Sequence, residues 1–248
     1  PMGSLNQLQE ASDVAKWIVT NKLHAEDAIA TDKLDGTSML VKIKDSKVVE
    51  AYSRGDGERG QDWTIHAEQL TFPDVVEDGM YRVEVIISKS NWDKLKTIAV
   101  KKDGSPYKNA RNCVSGLMNT LTQHTTQIYA HISVVAYEIV GSSLSKLEQL
   151  EKLERQGFNV ALYSVIPFSQ LSAVIHTFVK QQKQDSLYEL DGIVVDINSP
   201  SIRKSLGYTD LNPNFAFKYK VADESNDAIV PVVEVEWLVS KDAYLIPR

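Results

Sequence analysis

The chain lacks the features that are typical of disulfide-bonded extracellular proteins, of zinc-binding domains and of membrane-spanning proteins. One cysteine, Cys113, occurs among its 248 residues, so the chain cannot form an internal disulfide, which favours a reducing compartment. The five histidines are scattered without zinc-ligand spacing. No apolar run reaches the roughly 20 residues of a membrane-spanning helix. We therefore expect a cytoplasmic protein with no membrane partner.

A surplus of basic residues, which is typical of nucleic-acid-binding proteins, is also missing. Lys and Arg number 27 against 33 Asp and Glu, and the formal net charge is −6. Contacts to nucleic-acid phosphates need Lys and Arg, but a local basic patch can override the net charge. The composition therefore weakens the case for a nucleic-acid partner without excluding it.

The most informative stretch runs from Thr31 to Gly36 and reads TDKLDG. Apolar residues lead into it at 28–30, an alternating strand-like run leaves it at 39–44, and Asp-Gly is a turn signal. Lys33 is therefore expected at the mouth of a strand–turn–strand unit. A fixed lysine close to other cations, which favour the loss of its proton, suits a nucleophile. Taken alone, this short stretch is better explained as a hairpin turn with a surface lysine.

Polar motifs recur further along the chain. A loop that starts at Arg54 has three glycines within six positions, so its backbone can approach a ligand closely. Glu84 lies in an alternating run over 81–88 and faces either solvent or a polar pocket. Near the end, Asp191 opens a buried strand, and the two lysines of an alternating run over 215–220 project from one face of a strand.

Helical and strand-like periods alternate along the chain, which predicts a mixed α+β protein. Helices are expected at 9–23, 91–96, 143–156 and 169–182, and another helix begins near 109. Strands are expected at 39–44, 47–52, 81–88, 132–140, 160–166, 190–197, 215–220 and 229–238. Along these elements the motifs follow the order lysine turn, arginine loop, glutamate strand, tyrosine strand, Asp-Gly strand and Lys-x-Lys strand.

This order resembles that of the covalent nucleotidyltransferases, the polynucleotide ligases and mRNA capping enzymes, over nearly the whole chain. Four stretches are similar in particular to the adenylation domain of NAD-dependent bacterial-type DNA ligases. They are residues 1–6, the glycine loop at 54–64, the helix-opening motif at 109–116 and the run at 206–216. The resemblance implies an α+β ligase-type nucleotidyltransferase fold, in which ATP-grasp-like antiparallel sheets are flanked by helices.

For the reaction, the resemblance implies that Lys33 attacks the α-phosphate of a nucleotide donor and forms a lysyl-AMP intermediate. Lys218 and Lys220 would stabilise the charge that develops on this phosphate, and Asp191 is a further expected catalytic residue. AMP would then pass to the 5′-phosphate at a nick in double-stranded DNA, and a 3′-hydroxyl would displace it. Arg54 would contact the phosphate or the nick.

For binding, the resemblance implies that Glu84 accepts hydrogen bonds from the ribose and that Tyr137 stacks on adenine. Asp191 and Glu84 are the expected ligands of a divalent cation, magnesium by ligand hardness. Arg54 and Arg111 are the expected nucleic-acid contacts. Further nucleotide contacts are expected from Ser4, Leu5, Thr31 and Asp32.

The sequence departs from the NAD-dependent family at several positions. The family has a glutamate where this chain has Thr31, a lysine where it has Asp196, and a second arginine where it has Asn119. The family's single late lysine corresponds to Lys220, whereas Lys218 adds the Lys-x-Lys pattern of ATP-dependent ligases. We therefore expect NAD as the slightly favoured AMP donor, ATP as the alternative, and a divergent member of phage or viral origin.

Residues 1–225 are predicted to form the adenylation domain, and residues 226–248 a linker with the first strands of an OB domain. Nick sealing would then need the missing OB and C-terminal region or a second subunit.

An RNA ligase and a catalytically inactive, ligase-like binding module are alternative functions. Four residues that occur together argue against the inactive module: Lys33, Glu84, Asp191 and Lys220.

Overall fold

The computed structural model describes residues 3–220, 234–239 and 244–247. Within these residues the helices are α1 (Ala11–Thr20), α2 (Thr64–Ala67), α3 (Lys89–Leu95), α4 (Ala110–Met118), α5 (Thr126–Tyr129), α6 (Lys146–Arg155), α7 (Phe168–Asp185) and α8 (Pro200–Leu206). The strands are β1 (Asn6–Leu8), β2 (Asp27–Leu34), β3 (Thr37–Lys44), β4 (Lys47–Ser53), β5 (Gly79–Ile86), β6 (Ser133–Ile139), β7 (Asn159–Val160), β8 (Tyr163–Pro167), β9 (Leu190–Ile197), β10 (Tyr208–Thr209), β11 (Asn212–Pro213), β12 (Ala216–Tyr219), β13 (Trp237–Val239) and β14 (Leu245–Pro247). This mixture confirms the predicted α+β class. None of the described helices is both long and apolar enough to cross a membrane.

Two five-stranded sheets form most of the described structure. The first sheet has the order β1-β12-β9-β2-β8 and is antiparallel except where β1 pairs with β12. The second has the order β4-β3-β5-β6-β7 and is antiparallel except where β6 pairs with β7. Because β2 and β3 belong to different sheets, the Asp-Gly turn after Lys33 joins the two sheets and does not close a hairpin.

Helices α1 and α7 cover the first sheet with apolar stripes. Val14 and Ile18 of α1 are buried against it, together with Leu171, Ile175 and Val179 of α7. These side chains recur at the three- and four-residue spacing of one helix face. The apolar face of α7 therefore packs into the core of the first sheet.

The second sheet has its own core, to which α4 contributes one side. Cys113, Val114 and Leu117 are buried there against strand residues that include Met39 and Val83. A smaller cluster joins the two sheets close to the Lys33 turn and contains Leu34, Ile86, Val135, Ala161 and Leu190. This contact holds the end of β2 against the second sheet.

Each helix and strand predicted between residues 9 and 220 has a counterpart, and the ends differ by a few residues. The short elements β1, α2, α5, α8, β10 and β11 were not predicted, because so few residues carry no clear period. Residues 226–233, 240–243 and 248 of the predicted OB segment lie outside the described residues, and β13 begins at Trp237. The division into two domains stays a prediction.

Candidate active site

A cavity of about 1070 Å³ opens between the two sheets at the end of β2. Its wall includes Lys33, Glu84, Tyr137 and Lys218, which come from four different strands. The volume slightly exceeds the range that is usual for small-molecule sites. The cavity is therefore large enough for a nucleotide.

Lys33 lies at an irregularity in the pairing of β2 with β9. The register shifts between Asp32 and Leu34, so β9 places two residues opposite Lys33 alone. These two are Asp191 and Gly192, and Gly192 has φ +124°, a value that favours glycine. Strand bulges re-aim side chains, and this bulge brings Asp191 Oδ2 to 2.8 Å from Lys33 Nζ.

Asp191 joins two of the predicted catalytic lysines. Its second oxygen, Oδ1, lies 2.6 Å from Lys220 Nζ. Burial raises the pKa of Asp191, but hydrogen bonds from Lys220 and Lys33 outweigh burial and hold this pKa below its usual value. The carboxylate is therefore ionised at neutral pH and holds both ammonium groups. Asp191 and Lys220 adjoin Lys33 just outside the residues that line the cavity.

Lys218 is the third lysine at this end of the cavity. It projects from β12 and lines the cavity wall. Burial, followed by the positive charges of Lys220 and Lys33, lowers the pKa of Lys218. Among the described residues, Asp191 is the one carboxylate that pairs with these three lysines, so this end of the cavity has an excess of positive charge. Such an excess suits a phosphate group.

Glu84 comes from β5 and lines the cavity, so the alternative in which it faces solvent is wrong. Burial raises its pKa to about 8, although the charges of Lys33 and Arg111 act in the opposite direction. At neutral pH the carboxyl group is therefore mostly protonated. It can both donate and accept a hydrogen bond in this state.

This raised pKa predicts that Glu84 makes the protein less stable as the pH rises. Between the ordinary value of 4.5 and about 8, the folded protein keeps a proton that the unfolded chain has released. Stability then falls by up to about 1.4 kcal/mol per pH unit, whereas below pH 4.5 both states hold the proton. Glu84→Gln removes this titration. We expect the melting temperature of the variant, relative to wild type, to increase steadily from about pH 5 to about pH 8.

Differential scanning fluorimetry across this pH range measures the effect. Glu58→Gln, which makes the same change in the exposed glycine loop, is the matched control. The control should follow the wild-type pH profile throughout. A constant difference in melting temperature between Glu84→Gln and wild type would contradict the raised pKa.

Tyr137 comes from β6 and also lines the cavity. Its hydroxyl group shares a hydrogen bond of 2.5 Å with Ser38 Oγ. Burial, and then the charge of Glu84, raise the pKa of Tyr137 well above its usual value. The side chain is therefore neutral, and an aromatic ring fixed in this way offers a flat surface to a planar ligand.

The two predicted nucleic-acid contacts, Arg54 and Arg111, both line the cavity and have exposed positions. Arg54 starts the glycine loop directly after β4. Arg111 lies in the first turn of α4, where Asn109 caps the helix by accepting a hydrogen bond from the Asn112 amide. Arg111 Nη1 lies 2.5 Å from Asp35 Oδ1. The helix-opening motif thus ties α4 to the Asp-Gly turn.

The remaining predicted nucleotide contacts also lie at the cavity: Ser4, Leu5, Thr31 and Asp32. Thr31 Oγ1 donates a long hydrogen bond of 3.4 Å to the backbone oxygen of Val194. Burial raises the pKa of Asp32 to about 6, against the effect of a hydrogen bond with Ser186. Their roles in binding stay predictions.

The predicted metal ligands do not form a ready-made cation site. Among the described residues, no group of three or more His, Cys, Asp or Glu side chains could hold a metal ion. Asp191 has one lysine at each carboxylate oxygen, and the raised pKa leaves Glu84 mostly neutral. Mg²⁺ prefers ionised oxygen ligands, so these side chains do not fit it as they are arranged. The metal-binding roles of both residues stay predictions.

Sequence reasoning missed several charged residues on the cavity wall, among them Lys146 and Arg203. Lys146 begins α6 and Arg203 belongs to α8, and each lies within ion-pair distance of Asp196. No local pattern distinguishes Lys146 from the other lysines of its helix, and α8 was not predicted at all. Only their common partner, which appears as a departure from the family pattern, could have drawn attention to them.

Comparison with known sequences supports a family assignment. Residues 1–224 match the family described as the NAD-dependent DNA ligase adenylation domain. The chain is 30% identical over 254 residues to a DNA ligase of Acanthamoeba polyphaga mimivirus, with 100% of this chain and 37% of the relative covered. It is 29% identical over 266 residues to a DNA ligase of Borrelia hermsii, and this match covers 100% of this chain and 38% of the relative. The chain thus spans less than two fifths of the length of these relatives.

Comparison with solved structures supports the fold. An archaeal ATP-dependent RNA ligase is similar to this chain with a TM-score of 0.51 and 11% sequence identity. The match covers 89% of this chain and 48% of the other. At so low an identity the likeness bears on the fold alone, and it confirms the predicted ligase-type nucleotidyltransferase fold.

Proposed function

The chain belongs to the family of NAD-dependent DNA ligase adenylation domains, and on this basis we propose that it transfers AMP from NAD to its own Lys33. One observation carries the proposal. The Lys33 amine is held by a carboxylate at a strand bulge, and it faces a nucleotide-sized cavity beside two further lysines. A fixed amine among cations and next to a phosphate-sized positive site is what a lysine nucleophile for phosphoryl chemistry requires.

In the first step, Lys33 Nζ loses a proton to solvent and attacks the α-phosphorus on the adenylyl side of NAD. A P–N bond forms, the P–O bond to nicotinamide mononucleotide breaks, and nicotinamide mononucleotide leaves with the electron pair. Lys218 and Lys220 stabilise the negative charge that builds on the phosphate oxygens. Lys218 has no ion-pair partner in the part of the chain that the structure describes, and it is the better placed of the two because it lines the cavity directly.

Asp191 serves as a positioning residue in this step. Its two oxygens fix the nitrogen atoms of Lys33 and Lys220 relative to each other before the donor arrives. The phosphates of the donor then compete with Asp191 for both ammonium groups, so the ion pair of Lys33 can loosen while Lys220 turns to the phosphate. Holding reacting groups in place in this way removes part of the entropic barrier.

The rest of the donor is proposed to lie along the cavity. Glu84, protonated at neutral pH, exchanges hydrogen bonds with the ribose hydroxyls, and Tyr137 stacks on the adenine ring. A magnesium ion, when bound, would neutralise charge on the donor phosphates, and the described side chains alone do not provide its site.

We further propose that the AMP passes to nicked double-stranded DNA. A phosphate oxygen at the 5′ end attacks the α-phosphorus, the P–N bond to Lys33 breaks, and the strand carries the AMP. A 3′-hydroxyl then attacks the 5′-phosphate and releases AMP. The exposed Arg54 and Arg111 at the cavity are suited to the strand backbone. Since longer relatives carry the name DNA ligase, we propose that sealing needs an OB and C-terminal region or a second subunit.

Intact-mass spectrometry tests the proposed transfer. The protein is first treated with nicotinamide mononucleotide and with pyrophosphate, which reverse a transfer from NAD and from ATP respectively, until its mass shows no attached AMP. It is then freed of both and incubated with Mg²⁺ and either NAD or ATP. We expect the mass of one AMP to be gained from NAD and none from ATP. Nicked DNA added afterwards should remove the gained mass, whereas a nick with a 5′-phosphate on RNA should remove much less.

The possible outcomes separate the alternatives. A gain from ATP alone would replace NAD as the donor and give weight to the Lys-x-Lys pattern of Lys218 and Lys220. Discharge by the RNA nick alone would replace DNA as the acceptor. No gain from either donor, in protein that has been discharged, would overturn the proposed transfer and favour an inactive binding module.

A further inference from the structure

A second group of charged side chains lies at the end of the cavity remote from Lys33. It consists of Lys146 from α6, Asp196 from β9 and Arg203 from α8, and is called the distal cluster below. Asp196 lies five positions after Asp191 on the same strand, which is about 16 Å by the rise of a strand. The side chains of the distal cluster are only 6%, 8% and 14% exposed, respectively.

The ion pairs inside the distal cluster are loose. Lys146 Nζ lies 3.7 Å from Asp196 Oδ2, and Arg203 Nη2 lies 3.8 Å from Oδ1. Both distances exceed the range of a hydrogen bond. A buried carboxylate is unfavourable unless hydrogen bonds satisfy its oxygens. Asp196 is therefore a charged acceptor on the cavity wall that a bound ligand can satisfy.

The two cations of the distal cluster are held in place, and each keeps N–H groups that can donate further hydrogen bonds. Lys146 Nζ donates one hydrogen bond of 2.8 Å to the backbone oxygen of Tyr137, which leaves two of its three hydrogens. The Arg203 guanidinium lies over the ring of Phe215, 4.6 Å from its centroid. Arg203 Nη1 is buried and has no hydrogen-bond partner within the described residues.

Lys146 connects the distal cluster to the place where the nucleobase is proposed to lie. Its ammonium group is hydrogen-bonded to the backbone oxygen of Tyr137, and the nucleobase is proposed to stack on the Tyr137 ring. A planar ring on Tyr137 would therefore present one edge to Lys146 and Asp196. This edge would meet one donor and one acceptor held side by side.

We propose that Lys146 and Asp196 recognise the 6-amino edge of adenine in the AMP donor. Asp196 accepts a hydrogen bond from the exocyclic amine, and Lys146 donates one to the neighbouring ring nitrogen N1. Arg203 is a positioning residue that holds Asp196. The inference rests on the proposed function and names the residues that select adenine within the same site. The cation at the proposed nucleobase site then comes from α6 and the carboxylate from β9.

The arrangement distinguishes adenine from hypoxanthine, in which the hydrogen-bond donor and acceptor at positions 6 and 1 have exchanged places. Hypoxanthine has an acceptor oxygen at position 6 and a donor N–H at position 1. Lys146 is tied to a backbone oxygen and Asp196 lies between two cations, so the pair cannot readily exchange its donor and acceptor sides. With hypoxanthine bound, its 6-oxygen would face the carboxylate of Asp196 and its N1–H would face the ammonium group of Lys146. These buried polar groups would then have no hydrogen-bond partner.

Isothermal titration calorimetry with AMP and with IMP tests this inference on the full chain, without any need for catalysis. We expect wild type to bind AMP at least about tenfold more tightly than IMP, in line with the discrimination that a good pair of hydrogen bonds provides. Asp196→Asn should lower this AMP/IMP ratio by about tenfold, because its amide can donate to the 6-oxygen. Lys146→Met, which keeps the length of the chain, should lower the ratio as well.

Lys152→Met is the matched control, since Lys152 lies on the same helix and pairs with Glu77 away from the cavity. It should leave the ratio unchanged. A ratio does not depend on the fraction of folded protein, so partial unfolding of a variant cannot imitate the result. Equal affinities in wild type, no binding of AMP, or an unchanged ratio in Asp196→Asn would each overturn the inference. A clear AMP preference without AMP transfer from NAD would overturn the proposed function alone.

Discussion

The Lys33→Arg variant is expected to lose covalent AMP attachment from NAD by at least about a thousandfold. A guanidinium group stays protonated at any pH that the protein tolerates, so it cannot act as a nucleophile. The substitution keeps a positive charge beside Asp191, and the ion pair that anchors the strand bulge can persist. Intact-mass spectrometry after incubation with NAD and Mg²⁺ measures the loss directly.

Two controls separate a missing nucleophile from a damaged protein. Lys44→Arg makes the same chemical change at an exposed position of β3 outside the cavity, and should gain AMP as wild type does. Calorimetric binding of AMP should be retained in Lys33→Arg, because the proposed base and ribose contacts are untouched. Attachment of AMP to Lys33→Arg at the wild-type rate would show that another residue is the nucleophile.

The Gly192→Ala variant is expected to lose about 3 kcal/mol or more of folding stability. Gly192 has φ +124°, which an L-residue with a side chain rarely adopts. A Cβ atom added there would also collide with the backbone oxygen of Tyr219 on the neighbouring strand β12. Backbone cannot move aside as a flexible side chain can, so β9 and β12 would have to separate. Urea denaturation followed by tryptophan fluorescence gives the free energy of unfolding.

Gly104→Ala is the matched control for this variant. Gly104 has φ +80°, but its added Cβ would meet nothing within 4 Å, so only the backbone strain of about 1 kcal/mol applies. The difference between the two variants measures the collision together with the greater backbone strain at φ +124° than at φ +80°. Because the collision lies between Asp191 and Lys220, Gly192→Ala should also attach AMP more slowly in the fraction that remains folded. Equal losses of stability in both variants would mean that the two strands can adjust without strain.

Local sequence was enough to predict several parts of the candidate site. The Asp-Gly signal after Lys33 predicted a turn at the end of a strand, and the alternation around Glu84 predicted a strand. Both patterns depend on residues that are neighbours in the chain, where turn propensity and side-chain period act directly. The order of the motifs was also sufficient to identify the family, since it is a property of the sequence itself.

Other parts of the site depend on pairing between distant segments. Whether Glu84 faces solvent or the cavity was left open, because a strand has two faces and only the second sheet decides which of them is covered. The bulge opposite Lys33 depends on the register of β2 against β9, and its ion pair joins residues 158 positions apart. No local propensity encodes such a register.

The sequence by itself determined the α+β class, most helices and strands, the family and the polar residues that the reaction is proposed to use. The tertiary structure decided how they are combined: that the turn after Lys33 joins two sheets, that Asp191 holds Lys33 and Lys220 together, and that Lys146 and Arg203 meet at Asp196. The physical reason is that turns and periodic elements depend on neighbouring residues, whereas sheet order, register and buried charge depend on packing across the whole chain.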